Sequence, residues 1–318
     1  MPKPPDGARR RVGLIVNPTA GKGQGAVLGE RTRRRLVGTG QEVLDLSGRD
    51  LAEARAQARA AVEAGAVDVL AVVGGDGLAH LGVNLCAGTD MPLLIVAAGS
   101  GNDNARSLGL PVRDPEAAVD LLVDGQIRAI DAGRTTAGVN GGTDRDQSVR
   151  WWLGVLGGGF DSIVTERAHR LRWPRGPSRY TLAVALELPR FRAIPYAVTV
   201  DDVRIETEAM LVAVANGPAF GGGMLVCPDA SYDDGLLDVL ILHKVSTRRF
   251  LRIYPQVFRG RHVAQPEVQV LRGRRVRLEA AGIMTQADGE RFEPLPLDVE
   301  VVQGALRVVC PRKTLPPG

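Results

Sequence analysis

Apolar positions follow two different rhythms along the chain. Over the first 125 residues, short apolar runs alternate with longer segments of helical spacing. The runs are residues 12–16, 67–73 and 92–98, and residues 42–46 read as a further short strand. Residues 67–73 are apolar apart from Asp68 and bounded by Gly65 and Gly74, as a strand buried on both faces would be. A basic helical stretch runs to about residue 37, and residues 50–64 place Leu51, Ala54, Ala58, Ala61 and Val62 at helical spacing. Asp114-Pro115-Glu116 opens a helix to about residue 123, with a capping carboxylate and a proline in the first turn. Such alternation predicts a parallel α/β sheet.

Beyond residue 125 the rhythm shortens. Residues 127–132 and 150–156 read as strands on either side of a polar Gly/Asp/Asn-rich loop, 137–148. An Arg-rich helical stretch occupies 161–188. Short strands follow at 196–200, 209–215, 236–242, 268–270, 275–279 and 299–302, and Gln303-Gly304 joins the last to another at 306–309. This half predicts a β-rich domain, a sandwich, with the boundary near residues 131–134.

Composition narrows the class. A chain of 318 residues suggests two domains and buries a sizeable core. With 44% hydrophobic and 24% charged residues it is neither disordered nor fibrous. No apolar run reaches the 18 or so residues of a membrane span, and residues 12–16 are too short for the core of an export signal. Cys86, Cys227 and Cys310 are scattered, without disulfide-framework or zinc spacing. A cytoplasmic protein with reduced thiols is expected. The net charge of +4 suits an anionic partner without choosing among nucleotide, nucleic acid and acidic membrane.

Candidate chemistry sits in turns. Asn17-Pro18-Thr19-Ala20-Gly21-Lys22-Gly23, Gly74-Gly75-Asp76-Gly77-Leu78 and Gly99-Ser100-Gly101-Asn102-Asp103 each follow an expected strand. Glycine turns let backbone N–H groups approach phosphate oxygens, and the carboxyl ends of parallel strands are where α/β sheets bind ligands. Neither the Walker pattern nor the dinucleotide glycine spacing is met. Asp233-Asp234 in a turn could hold a hard cation, although the segment is no EF-hand loop. Asp288-Gly289-Glu290, after the strand-like residues 283–286, offers a carboxylate that could accept a hydroxyl proton. The four histidines lack ligand spacing, and no serine nucleophile elbow occurs.

Taken in order, these turns resemble the diacylglycerol kinase catalytic-domain family of bacterial lipid kinases, sphingosine kinases and ceramide kinases. Gly158-Gly159-Phe160-Asp161, Asn216-Gly217, Gly221-Gly222-Gly223-Met224 and Asp234-Gly235-Leu236-Leu237-Asp238 complete the resemblance over residues 12–290. Arg172-Trp173-Pro174 looks most like actinobacterial members. The resemblance implies a phosphofructokinase-like α/β domain over 1–132, a β-sandwich lipid-substrate domain over 133–304, about 305–318 packing back on the first, and an active site in the cleft between them.

It also implies roles. Asn17, Pro18, Thr19, Ala20 and Gly21 would contact ATP. So would Gly74, Gly75, Asp76, Gly77, Leu78, Ala79 and His80, with Ser100, Gly101, Asn102 and Asp103 in the third turn. Ser47 and Ser100 fall where the family has nucleotide-contacting threonines. Ser231, Asp234 and Leu236 match a structural Mg²⁺ site, the outer two through carbonyls. Glu290 matches the proton acceptor, and Asp76 would bear on the magnesium and water network. A lipid alcohol, diacylglycerol foremost, would be phosphorylated to phosphatidic acid.

Two residues depart from the family pattern: Leu78 replaces a usual threonine, as in sphingosine kinases, and His80 a usual asparagine. Sphingosine or ceramide remain alternative substrates. An NAD kinase, which shares the Gly-Gly-Asp-Gly turn, and a catalytically weak lipid-binding regulator are the rival readings. No nucleic acid is expected, and a homodimer stays open. Peripheral, transient contact with an anionic inner membrane face is expected through Arg167, Arg170, Arg172, Arg175, Arg179, Arg190 and Arg192, with Trp173, Tyr180, Leu182 and Phe191 among them.

Overall fold

The structure, a computed structural model, describes residues 9–135, 149–160 and 192–312, together with 162–164, 167, 171, 173, 182, 183, 186 and 187. It divides into two compact units, residues 1–130 with 304–318 and residues 131–303.

The first unit is a parallel sheet with helices on its faces. Its strands are β1 (Arg11–Val16), β2 (Glu42–Asp45), β3 (Val69–Gly74) and β4 (Pro92–Ala97). The helical segments are α1 (Ala20–Gly23), α2 (Gly25–Gly38), α3 (Leu51–Glu63), α4 (Asp76–Cys86), α5 (Asp103–Ser107) and α6 (Pro115–Asp124). β1 pairs in parallel with β2 on one side and β3 on the other, and β3 pairs with β4. The chain therefore reverses direction across the sheet at β1, and the β1/β3 edge is a topological switch point. Alternate residues of the strands bury to opposite faces: Leu14, Ala71, Val73, Leu94 and Val96 form one core with Leu28 and Leu36 of α2 and Ala118, Val119 and Leu122 of α6. On α4, Gly82 lies against Val72 and Leu93, where a side chain would meet Leu93 Cδ1 at 2.7 Å. Asp50 and Asp114 cap α3 and α6 by accepting from Glu53 N and Ala117 N at 2.9 and 3.0 Å.

The second unit is antiparallel. β5 (Gln126–Thr135) enters it and pairs with β6 (Trp151–Trp152). β7 (Val155–Gly159), β8 (Ile194–Val200), β9 (Val203–Ala215), β10 (Leu237–His243), β11 (Val268–Gly273), β12 (Arg275–Glu279), β13 (Met284–Ala287) and β14 (Glu290–Pro294) follow. β9 is the hub, pairing with β7, β8 and β10. Its Val212 and Val214, with Val239 and Ile241 of β10, bury in one cluster. Its Ala213 and Ala215, with Leu240 and Leu242, bury in a second. Period-two alternation with both sets apolar is what covering both faces of a sheet requires.

The expected break at Gln303-Gly304 does not occur. One strand, β15, runs from Leu297 to Cys310. Gly304 takes a φ of 61°, which glycine accepts without strain, and the strand changes partner around it. Leu297 to Glu300 pair with β12, whereas Arg307 and Val308 pair with β4. Residues 137–148 and most of the Arg-rich stretch 161–188 lie outside the described residues.

Candidate active site

The three glycine turns sit side by side at the carboxyl ends of β1, β3 and β4, and short contacts join them. Asn17 N donates to Val73 O at 3.0 Å, binding the first turn to β3. Asn17 Oδ1 accepts from both Thr19 N and Thr19 Oγ1, at 3.0 and 2.8 Å. Gly21 has a φ of 58°, and a Cβ there would lie 2.2 Å from Ala98 O. Lys22, also left-handed, is exposed beside it.

Asp76 is the fastener between the second and third turns. Its Oδ2 accepts from Asn102 N at 2.9 Å and its Oδ1 from Asp103 N at 3.0 Å. Asn102 in turn closes the third turn on itself, accepting from Gly99 N and donating to Gly99 O, both at 2.9 Å. Gly101 must be glycine for the fastening to hold, because a Cβ would approach Asp76 Oδ2 to 2.5 Å. The carboxylate expected to face magnesium and water thus also orders the backbone that carries Ser100 and Gly101.

The remaining expected nucleotide residues are divided by burial. Pro18, Thr19 and Ser100 are exposed; Gly75, Asp76, Gly77 and Gly101 are half-buried. Leu78, Ala79 and His80 are buried on α4. Leu78 packs over Gly74, whose absent Cβ would lie 2.8 Å from Leu78 Cβ. His80 Nε2 is 3.2 Å from Asn84 Nδ2. Ser47 supports β1, its Oγ accepting from Val16 N at 3.1 Å.

In the second unit, Asp288 and Gly289 form the two-residue loop of the β13–β14 hairpin, with Ala287 opposite Glu290. Both have positive φ, 53° and 84°, as a type I′ turn demands. Asp288 is buried, and its carboxylate accepts from Leu153 N at 2.9 Å and Gly154 N at 2.7 Å. Glu290 emerges from this anchored turn into solvent. Asn216, fully buried, donates to Asp131 O and Leu153 O at 3.0 and 2.7 Å, and Asp131 Oδ2 accepts from Gly235 N at 2.7 Å. Asp131 and Asp288 were not expected as site residues. The Asp-Gly hairpin signal could have found Asp288, whereas no local pattern marks Asp131.

The expected cation ligands fit a metal poorly. Asp234 Oδ1 accepts from Leu236 N at 3.0 Å, and its Oδ2 is paired with the Arg272 guanidinium. Arg272 Nε also lies 3.2 Å from Asp238 Oδ1. Ser231 Oγ donates to Asp233 Oδ1 at 2.6 Å. The positive charge beside Asp234 is an arginine, and a cation would have to displace it. Burial pushes the Asp238 carboxyl above its ordinary range, Arg272 opposing the shift and Asp234 adding to it. Among the described residues no group of three His, Cys, Asp or Glu side chains is placed to hold a metal ion.

A parallel α/β unit with phosphate-type turns at its switch point, followed by an antiparallel unit, defines a two-domain kinase architecture, and comparison with known proteins agrees. Residues 11–135 match the diacylglycerol kinase catalytic domain, and residues 154–310 match the YegS C-terminal NAD kinase beta sandwich-like domain. The chain is 38% identical to a diacylglycerol kinase of Mycobacterium tuberculosis strain H37Rv over 304 residues, 95% of this chain and 96% of that one. It is 29% identical to a diacylglycerol kinase of Bacillus subtilis over 250 residues, 77% and 78% of the two chains. A solved diacylglycerol kinase chain from Bacillus anthracis shares the fold with a TM-score of 0.68 at 20% identity, covering 95% of this chain and 98% of its own. The chain belongs to the diacylglycerol kinase family and is a lipid kinase.

Proposed function

We propose that this lipid kinase uses ATP, carried as its magnesium complex, to phosphorylate the hydroxyl of diacylglycerol, forming phosphatidic acid. The observation that carries the reading is the fastening of the Gly74–Gly77 and Gly99–Asp103 turns through the Asp76 carboxylate at the carboxyl ends of β3 and β4. Phosphoryl transfer asks the protein mainly for positioning and charge stabilisation, because the transition state is loose and its charge lies on the phosphoryl oxygens. Preordered backbone and the exposed cation of Lys22 supply both without reorganisation at the moment of reaction. No step is assigned to a metal at Asp234.

Glu290 is assigned the proton of the attacking hydroxyl. The anchored I′ turn holds its backbone, and its exposed carboxylate can accept a proton and release it to water. Contact with an anionic membrane face, where the lipid lies, belongs to the same reading. Glu290→Gln should lower turnover by about 10²–10⁴-fold, the usual scale for general acid–base help, with nucleotide affinity and thermal midpoint near wild type. Steady-state kinetics beside nucleotide titration tests this, and turnover within a few-fold of wild type would remove Glu290 from the assignment.

A further inference from the structure

The segment after β10 is strongly basic. Residues 244–266 contain no Asp or Glu, and they carry Lys244, Arg248, Arg249, Arg252, Arg259 and Arg261. Lys244 pairs with Glu208, and Arg249 with Glu267. Arg248, Arg252, Arg259 and Arg261 are exposed and have no acidic partner among the described residues. Between them two large apolar side chains stand in solvent, Leu251 at 54% and Phe258 at 48% exposure.

The opposite side of the same segment faces an apolar cavity within this unit. The helix Thr247–Ile253 and the 3₁₀ turns Tyr254–Arg259 and Arg261–Ala264 contribute Phe250, Ile253, Tyr254, Val257 and His262 to its wall. The empty volume is about 700 Å³, mouth included. An aromatic ladder joins cavity to surface: Phe160 to Phe250 at 5.0 Å, Phe250 to Tyr254 at 5.8 Å, and Tyr254 to Phe258 at 6.0 Å between ring centroids. The ladder passes from the buried Phe160 to the half-exposed Phe258.

We propose that residues 247–264 form the face by which this protein docks on an anionic lipid bilayer, with Leu251 and Phe258 entering the headgroup region and the four unpaired arginines engaging the headgroups. A helix with arginines around exposed apolar side chains binds an interface through both terms, apolar burial and attraction to anionic lipid. Single-stranded nucleic acid would use the arginines and could stack a base on Phe258, but it has no use for Leu251 and gives no reason for an apolar cavity beneath them. The inference rests on the lipid-substrate reading and places the membrane contact on a different surface from residues 167–192. In that stretch Arg167 is paired with Glu187 at 2.5 Å, Trp173 and Arg192 are exposed, and Arg170, Arg172, Arg175, Arg179, Tyr180, Arg190 and Phe191 lie outside the described residues.

The test is sedimentation of the full chain with vesicles of equal parts phosphatidylglycerol and phosphatidylcholine at low salt. Arg252→Gln with Arg259→Gln should weaken partitioning by about thirtyfold, two arginine contributions near an anionic surface. Leu251→Ser with Phe258→Ser should weaken it also at high salt, where headgroup attraction is screened. The control pair Arg55→Gln with Arg59→Gln makes the same charge change on exposed positions of α3 and should stay within twofold of wild type. Thermal midpoints confirm that the variants are folded. Partitioning unchanged in either test pair overturns the proposal, as does an equal loss in the control pair, or capture of single-stranded RNA by a wild type that ignores vesicles. Sedimentation needs no turnover. A protein that binds vesicles through these residues yet phosphorylates no diacylglycerol keeps this docking face and overturns the substrate reading alone.

Discussion

Asp288 and Glu290 stand two residues apart in opposite surroundings. Asp288 is buried and holds two backbone amides, while Glu290 is in solvent. The sequence made the tripeptide visible as an acidic turn but could not divide its labour, because the partners of Asp288 lie more than 130 positions away at Leu153 and Gly154. His262 shows the same dependence on tertiary context. It is 5% exposed, and its Nε2 lies 2.9 Å from Val226 O. Burial pushes its pKa below the ordinary 6.5, with the Val226 bond opposing the shift. As pH falls through about 6.5, the unfolded chain takes up a proton that the folded chain resists, so folding stability declines. Replacement by a neutral side chain, His262→Gln, should flatten this decline between pH 7 and 5 in denaturation experiments. An unchanged pH profile would show that His262 is not the group responsible.

At the scale of elements, β1, β3 and β4 were legible because each is a bounded apolar run, and the cap Asp114 was legible as a capping residue. Helix α4 was not, because Leu78 to Cys86 is buried almost throughout and its apolar residues leave no polar stripe to set a period. The single strand β15 was misread at Gly304, where the left-handed glycine of a turn and that of a change of strand partner look alike in sequence. The clasp between turns was invisible for another reason: Asp76 and Asn102 are 26 positions apart, and only the pairing of β3 with β4 brings them together. Hydrogen bonds to a charged group are worth about 1.5–3 kcal/mol each. Asp76→Ala should therefore lower stability by about 3–5 kcal/mol and weaken nucleotide binding together. Gly101→Ala, which presses a methyl group on the same oxygen, should act in the same direction. Equilibrium unfolding with nucleotide titration checks both, and an Asp76→Ala protein of wild-type stability would contradict the clasp.

At the scale of the whole molecule, a change from helical alternation to short strands announced two kinds of architecture, and the two matched domain models follow that change. Neither the lipid nor the phosphate donor could be read at this scale, since both depend on pocket shape rather than on pattern. No helix among the described residues is long and apolar enough to cross a membrane. The most direct test of the central claim is to incubate the protein with ATP labelled at the γ-phosphate and a panel of diacylglycerol, monoacylglycerol, sphingosine, ceramide and NAD, and to identify every labelled product. The account predicts label in phosphatidic acid, lost in Glu290→Gln. Label confined to another product, or phosphatidic acid formed undiminished by Glu290→Gln, would contradict it.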